Sequence, residues 1–257
     1  IEELYHSVLE AKRTHKLTNR LNIRELSFFG RKQELSQLEE YLSLVETGEA
    51  VGPFLVIGQS GTGKKRLLRQ LVLMSNRSFN FIKVEGKATS QRYEGSIWND
   101  LKQALEKLGD EMGIPFLEGE DDLISVWNQL QGLSKEKPLL ILLENAQWID
   151  AVSLEKVKQL EERRNQEKWQ LIFTAEEPLP DFFVNFLGGL KVEKRLSQLE
   201  LTNFEPSESR ALLKGELGAI EPAVMEQMVE WSEGSPFFLS SYIEEWKENE
   251  NLEPLPD

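Results

Sequence analysis

The sequence contains no cysteine and only two histidines, His6 and His15. Without cysteine the chain has neither disulfides nor thiolate metal ligands, so a zinc-dependent function is not expected. The sequence also lacks an apolar run long enough to cross a bilayer, and it shows no signal or transit peptide. We therefore expect a cytoplasmic protein with no membrane partner.

Basic residues are outnumbered by acidic ones: the chain has 30 Lys and Arg residues and 44 Asp and Glu residues, which gives a net charge of −14. This balance repels a phosphate backbone, so extended contact with nucleic acid is not expected, although a local basic patch is compatible with it. A length of 257 residues allows one large domain, or a medium domain with a small one. Because the chain begins at Ile1, we interpret it as a piece of a longer protein, with fused domains or protein partners.

The most informative stretch spans residues 58–65, where Gly58, Gly61 and Gly63 precede Lys64. It follows the apolar run 53–57, and the next residues place Leu67, Leu68 and Leu71 on one helical face. This order of strand, glycine-rich turn and helix is typical of a phosphate-binding loop, in which backbone N–H groups and a lysine hold phosphates. The alternative is a tight turn with no ligand. The strand before the loop and the helix after it match the phosphate-binding pattern and count against this alternative.

The residue after the loop lysine departs from this pattern. Nucleotide-binding loops carry Ser or Thr there to coordinate magnesium, whereas this chain carries Lys65, an ammonium group that cannot bind a cation. The extra positive charge offers a way to bind nucleotide without magnesium. In the alternative, Lys65 and Arg66 point to solvent and the pocket is empty.

Strand and helix patterns alternate through most of the chain. Apolar runs indicate further strands at residues 79–84, 139–143 and 170–174, and the second of these is apolar enough for the centre of a parallel sheet. Apolar spacings of three and four predict helices at residues 97–108, 123–133 and 153–164. The alternation predicts a doubly wound parallel α/β sheet, with its ligand site at the carboxyl ends of the strands, where the loop and Glu144 both fall.

From about Ser197 the strand patterns stop, and three helical patterns follow at residues 206–213, 222–231 and 237–246. We interpret this part as a small helical lid. The predicted organisation is a helix or linker from a preceding domain at residues 1–26, a core at 27–195, the lid at 196–248 and a C-terminal linker at 249–257. The apolar cluster at residues 182–187, between core and lid, is expected to be buried.

Five stretches carry a family likeness. They are Phe-Gly-Arg-x-x-Glu-Leu at residues 29–35, the loop at 58–64, the strand and its Gln-Trp-x-Asp tail at 139–150, a crossover at 199–204, and Gly-Ser-Pro-Phe-Phe at 234–238. With these motifs the chain resembles the signal-transduction ATPases with numerous domains, a branch of the AAA-like P-loop NTPases. The Gln-Trp-x-Asp tail and the Gly-x-Pro-Phe-Phe segment separate this family from other P-loop groups.

The resemblance implies a nucleotide site for ATP or ADP, unless the pocket is so degenerate that it holds neither. In the family, the Phe-Gly-Arg motif and the Gly-x-Pro segment bracket the adenine, which points to Gly30, Arg31 and Pro236. The loop holds the phosphates, through Gly58, Gly61, Thr62, Gly63, Lys64 and, in this chain, Lys65. The acidic strand end serves catalysis, here Glu144 and Asn145, with Glu144 as the ligand if magnesium binds.

Three positions depart from the family pattern, and all three concern hydrolysis. Lys65 replaces the magnesium-binding hydroxyl, and the amide of Asn145 replaces a second carboxylate. Glu176 stands where an arginine facing the terminal phosphate is usual. Because phosphoryl transfer depends on neutralising charge on the phosphate oxygens, we expect these changes to lower the rate by several powers of ten, which favours a pseudo-ATPase.

Three hypotheses for the function follow. The first is a regulatory pseudo-ATPase module that binds ATP or ADP weakly or not at all and acts through fused domains or partners. The second is an active ATPase switch that couples ATP binding and hydrolysis to signalling or transcription control, with nucleotide-dependent oligomerisation as an option. The third is an initiator-like, DNA-handling ATPase; the acidic balance and the lack of a visible basic winged-helix face count against it.

Overall fold

The computed structural model describes residues 28–49, 51–164, 167–192 and 196–250. The predicted N-terminal helix or linker at 1–26, with both histidines, and residues 251–257 of the predicted C-terminal linker lie outside the described residues. The chain divides into two compact units. We call residues 31–59 and 64–201 the sheet unit, and residues 28–30, 60–63 and 202–250 the helical unit.

The sheet unit is built on five parallel strands. They are β1 Phe54–Gly58, β2 Asn80–Glu85, β3 Leu139–Glu144, β4 Trp169–Ala175 and β5 Ser197–Leu201. Their order across the sheet is β2-β3-β4-β1-β5, and every pairing is parallel. The predicted parallel α/β sheet is confirmed. Its carboxyl edge gathers the residues that follow β1, β2, β3 and β4.

Six helices connect or flank these strands. They are α1 Lys32–Thr47, α2 Lys64–Ser75, α3 Ser96–Met112, α4 Asp122–Ser134, α5 Ala151–Arg163 and α6 Asp181–Val192. Short 3₁₀ helices occupy Ser90–Arg92 and Ala146–Trp148. The apolar stripes that predicted α3, α4 and α5 face the core, with residues such as Leu101, Leu130 and Leu160 fully buried.

Strand β3 lies in the interior of the sheet, as its uniformly apolar sequence predicts. It pairs with β2 on one side and β4 on the other, and all six of its residues are buried. The last of them is Glu144, so the chain carries a carboxylate into the buried end of this strand. Burying a charged group is costly unless it is paired, which makes its neighbours important for the site.

Two elements differ from the sequence-based expectation. The expectation that strands stop at about Ser197 is wrong, because Ser197–Leu201 forms β5 beside β1. This edge strand buries alternate residues, Leu199 and Leu201, in a segment too short for its period to stand out. The apolar cluster at 182–187 is part of helix α6, where Phe183 and Phe186 pack their rings against Phe173 of β4 at centroid distances of 6.0 and 5.7 Å.

The helical unit contains the three helices predicted after residue 202. They are α7 Pro206–Leu217, α8 Pro222–Ser232 and α9 Pro236–Glu250. Each begins with proline, whose missing N–H costs nothing in the first turn of a helix. Their apolar faces form one core, which includes Phe204, Leu213, Met228, Leu239 and Ile243. In the part of the chain that the structure describes, no helix is both long and apolar enough to cross a membrane.

Asp150 ends the Gln-Trp-x-Asp tail and holds the loop after β3 in place. Its carboxylate accepts hydrogen bonds from Ser153 N at 2.9 Å and Ser153 Oγ at 2.6 Å, which caps α5. It also accepts from Gly95 N at 2.7 Å and Ile97 N at 3.4 Å, at the start of α3. Burial opposes ionisation of Asp150, but these hydrogen bonds outweigh it and hold its pKa below the usual value.

Candidate functional site

The candidate site begins with the loop between β1 and α2. Strand β1 ends at Gly58 and helix α2 begins at Lys64, so the predicted order of strand, turn and helix is present. Gly61 and Gly63 have φ values of +86° and +96°, which L side chains rarely adopt, so the loop depends on glycine at both positions. A Cβ added at Gly63 would meet nothing within 4 Å, so the space beside this residue is open. Phosphate binding by this loop stays a prediction.

Lys64 lies at the start of α2 with its side chain only 5% exposed. Its ammonium donates to the carbonyl oxygens of Gly58 at 2.9 Å and Gln59 at 2.8 Å, and to Glu176 Oε1 at 3.2 Å. A lysine ammonium has three N–H donors, so all three are in use. Burial lowers the pKa of Lys64, an effect that the Glu176 carboxylate opposes.

Lys65 lies over the carboxylates at the ends of β2 and β3. Its ammonium donates to Glu85 Oε1, and this hydrogen bond is the main reason why the pKa of Glu85 lies below its usual value. The same ammonium is 4.0 Å from Glu144 Oε2. The two carboxylates are neighbours because Glu85 and Glu144 are register partners in the parallel pairing of β2 with β3. The Lys65 side chain is 53% exposed, so it reaches solvent as well as these carboxylates.

Glu144 has a closer partner in Lys83, whose Nζ lies 2.9 Å from Glu144 Oε2. The contact is an ion pair without the alignment of a hydrogen bond, and within the described residues this oxygen is buried and accepts no hydrogen bond. Glu144 is 4% exposed, so two ammonium groups from Lys65 and Lys83 provide its charge compensation.

Asn145 directs its side-chain amide toward the end of β2. Its Nδ2 donates to Glu85 Oε1 at 3.1 Å and to the carbonyl of Gly86 at 3.4 Å. Its backbone, at a φ of +53°, donates an N–H to Thr174 Oγ1 at 3.0 Å. The amide nitrogen therefore donates to a carboxylate, and the amide lacks the basic oxygen with which a carboxylate would activate water.

A magnesium ion, which the family implies, does not fit the residues present. Magnesium prefers carboxylate oxygens together with phosphate oxygens and water. Glu144 and Glu85 are each paired with lysines, and the position of the usual hydroxyl ligand holds Lys65. Across the described ranges, no group of three or more His, Cys, Asp or Glu side chains is placed to hold a metal ion.

The residues expected to bracket adenine fall in different units. In the helical unit, Gly30 has a φ of +66°, and a Cβ there would touch the ring of Phe204 at 3.4 Å. Pro236 is the first residue of α9 in the same unit, and the next residue, Phe237, donates its N–H to the carbonyl of Gly61 at 3.2 Å. Arg31 belongs to the sheet unit, where its guanidinium pairs with Glu34 at 2.9 Å.

Thr62 is buried in the loop tip of the helical unit, and Gly58 closes β1 in the sheet unit. Within the sheet unit, Lys65, Glu144 and Asn145 lie around Glu85, and Lys64 contacts Glu176. Sequence reasoning missed Glu85 and Lys83, which complete the cluster. The one available indication was that the polar residues Lys83 and Glu85 flank Val84 at the end of β2. Alternate residues of a strand share a face, so these two side chains point the same way.

Comparison with known families identifies the fold. The sequence model described as "AAA ATPase domain" matches residues 27–173, which is more than half of the chain. The chain belongs to this family. The resemblance to the AAA-like P-loop NTPases is therefore confirmed. Among curated proteins, no sequence shows significant similarity to this AAA ATPase domain protein.

Solved structures share the fold at low sequence identity. They include the Aeropyrum pernix ORC1 protein in complex with DNA, with 17% identity, a TM-score of 0.58 and coverage of 90% of this chain and 63% of that one. The Aeropyrum pernix ORC2 protein in its ADP form has 15% identity, a TM-score of 0.59 and coverage of 90% and 68%. A signal-transduction ATPase with a tetratricopeptide repeat sensor from Pyrococcus horikoshii has 16% identity, a TM-score of 0.52 and coverage of 86% and 30%.

At these identities the similarity concerns the fold alone. The chain spans a little under two thirds of the ORC1 protein and less than a third of the Pyrococcus horikoshii protein. The activities and partners of those longer chains therefore belong to them.

Proposed function

We propose that this chain is a regulatory pseudo-ATPase module. In this proposal it binds ATP or ADP weakly and without magnesium, hydrolyses ATP at a negligible rate, and acts through contacts with fused domains or protein partners. The family supports nucleotide binding, because the match covers the phosphate-binding loop. The open loop at Gly63 and the positive-φ glycines support a phosphate ligand.

The observation that carries the proposal is the pairing of lysines with carboxylates at the carboxyl edge of the sheet. Hydrolysis of ATP requires a carboxylate to hold magnesium and a second group to orient the attacking water. Here Lys83 and Lys65 neutralise Glu144, and the amide of Asn145 donates to Glu85. These contacts direct both groups away from metal binding and water activation.

The regulatory part of the proposal draws on the architecture of a neighbour. The Pyrococcus horikoshii protein combines a signal-transduction ATPase with a tetratricopeptide repeat sensor, and this chain covers 30% of its length. An ATPase-type domain in such a protein transmits a state to other domains, and that role does not need fast turnover. We assign this chain the same kind of role, with Lys64 as the phosphate-sensing residue.

The experiment combines titration calorimetry with a phosphate-release assay. ATP and ADP are titrated into the purified chain, with magnesium and with EDTA. Because Lys65 and Lys83 exclude the metal, we expect the same Kd in both buffers, and phosphate release no faster than in the Lys64→Ala variant. Lys64→Ala removes the phosphate contact and is expected to abolish binding. The control is Lys158→Ala, which removes an exposed lysine on α5.

Two results would contradict the proposal. Steady phosphate release that disappears in Lys64→Ala would support the active ATPase switch instead. A folded chain that binds neither nucleotide at millimolar concentration would leave a domain that keeps the fold and has lost the ligand.

A further inference from the structure

Glu176 accepts a hydrogen bond from the Lys64 ammonium, the group that a terminal phosphate would need as a donor. The ammonium of Lys64 uses two N–H groups on the carbonyls of Gly58 and Gln59, within its own loop. The third N–H donates to Glu176 Oε1 at 3.2 Å, across 112 residues of sequence. In phosphate-binding loops this lysine contacts the outer phosphates of the nucleotide. The Glu176 carboxylate therefore takes the place of a phosphate oxygen as the acceptor.

The fold keeps Glu176 in this position. Strand β4 pairs with β1 so that Ala175 is the register partner of Ile57, and Glu176 directly follows that pair. The Glu176 N–H donates to Gln147 Oε1 at 3.1 Å, which ties its backbone to the loop after β3. Its side chain is 33% exposed, so it is partly desolvated beside Lys64.

Three lysines of the site are already paired with carboxylates. Lys65 pairs with Glu85 and lies 4.0 Å from Glu144, and Lys83 pairs with Glu144. Lys64, Lys65 and Lys83 therefore face an equal number of carboxylates, on Glu85, Glu144 and Glu176. Since magnesium does not fit the site and these three lysines are already paired, the charge of a third phosphate would be repelled by Glu176.

Building on the nucleotide binding proposed above, we propose that Glu176 makes the site selective for nucleoside diphosphates over nucleoside triphosphates. The carboxylate occupies the lysine contact of the terminal phosphate and repels its charge. Both nucleotides reach Lys64 through their outer phosphates, but only a triphosphate brings a third phosphate and its further negative charge against Glu176. An arginine at this position would favour the triphosphate, and the glutamate reverses the preference.

The test is the ratio of ADP to ATP affinity, measured by titration calorimetry in EDTA, for the wild-type chain and Glu176→Gln. We expect the wild type to bind ADP at least about tenfold more tightly than ATP, because like charges a few ångströms apart near a protein surface repel by more than the equivalent of one power of ten. Glu176→Gln keeps the size of the side chain and removes the charge. It is expected to tighten ATP binding about tenfold and to change ADP binding by less than about threefold.

Glu177→Gln is the matched control, since it removes the same charge one residue further along the chain, and we expect it to keep the wild-type ratio. Equal affinities for ADP and ATP in the wild type, or an equal change for both in Glu176→Gln, would overturn the selectivity. If Lys64→Ala still abolishes binding in that case, the proposed nucleotide binding is supported and only the proposed selectivity fails. Absence of binding in both the wild type and Glu176→Gln would overturn both proposals, whereas a gain of ATP binding in Glu176→Gln alone would support exclusion of the triphosphate.

Discussion

Residue-scale electrostatics explain why magnesium is disfavoured at the end of β3. Glu144 Oε2 lies 2.9 Å from the Lys83 ammonium and 4.0 Å from that of Lys65. Two unit charges 4 Å apart near a protein surface interact by about 4 kcal/mol, and solvent screening at the exposed lysines reduces that figure. A divalent cation at Glu144 would lose this attraction and meet repulsion from both ammonium groups. We therefore expect Lys65 and Lys83 to disfavour a metal ion at Glu144.

Asp150 is the residue whose loss we expect to be most costly for the folded state. It is almost fully buried, and its carboxylate accepts hydrogen bonds from two backbone N–H groups of the α3 start and from Ser153. Asp150→Asn replaces one acceptor oxygen by an N–H₂ donor that faces these donors. We expect the free energy of unfolding at pH 7 to fall by about 2 kcal/mol, the scale of hydrogen bonds to a charged group. Urea denaturation measures this change.

The same variant gives a pH dependence. The folded pKa of Asp150 is below its ordinary value of 3.8, so the carboxylate stabilises the fold above about pH 4, and this stabilisation is lost as pH falls through the folded pKa. The difference between wild type and Asp150→Asn should therefore shrink at pH 3. Asp100→Asn, an exposed position on α3, is the control. A penalty for Asp150→Asn that is the same at pH 7 and pH 3 would rule out the charged carboxylate as its cause.

At the scale of elements, two helical glycines have opposite surroundings. Gly109 lies near the end of α3, where an added Cβ would come within 2.2 Å of Gln129 Nε2 and 2.3 Å of the Ile114 carbonyl oxygen. Gly189 lies in α6, where an added Cβ would meet nothing within 4 Å. Helix propensity alone favours alanine over glycine at both positions by about 1 kcal/mol.

We expect the two alanine substitutions to change stability in opposite directions. Gly109→Ala forces α3 away from Gln129 and the Ile114 carbonyl, and should lower the free energy of unfolding by about 2 kcal/mol despite the better helix propensity. Gly189→Ala meets no obstacle and should raise it by about 0.5 kcal/mol or more. Thermal or urea unfolding of both variants measures the pair. Stabilisation by Gly109→Ala would show that the α3 to α4 connection relaxes without cost.

At the scale of the whole molecule, the net charge counts against a DNA-handling function. The ORC1 protein of the same fold was solved in complex with DNA, but its identity to this chain is 17%, and this chain carries a net charge of −14. Three lysines at the candidate site are paired with carboxylates, so they add little net positive charge there. The predicted division into a core at 27–195 and a lid at 196–248 stays a prediction.

We expect the chain to show no binding to duplex DNA, even at low salt, where electrostatic attraction is strongest. The reason is the long-range repulsion between the duplex and a chain with a net charge of −14. Fluorescence anisotropy of a labelled duplex at about 50 mM salt measures this. Binding to the duplex that weakens steeply as the salt concentration is raised would support the initiator-like hypothesis.

The sequence by itself determined the elements whose information is local. The phosphate-binding loop is readable because an apolar strand, positive-φ glycines and an amphipathic helix follow one another within about 20 residues. Strand β3 and the helices of the helical unit are readable for the same reason, since each has its own apolar period. Helix α6 and strand β5 were missed because a dense apolar cluster and a five-residue edge strand have no distinct period of their own.

Only the tertiary structure decided the electrostatics of the candidate site. The Lys64–Glu176 and Lys83–Glu144 pairs join residues that the chain places far apart, and they meet because parallel register aligns the ends of β1 with β4 and of β2 with β3. A sequence pattern shows that Lys65 and Glu176 depart from the family, but not which charges they meet. Register and the packing of strand ends set those distances, because a one-residue shift in pairing would turn each side chain to the other face of the sheet.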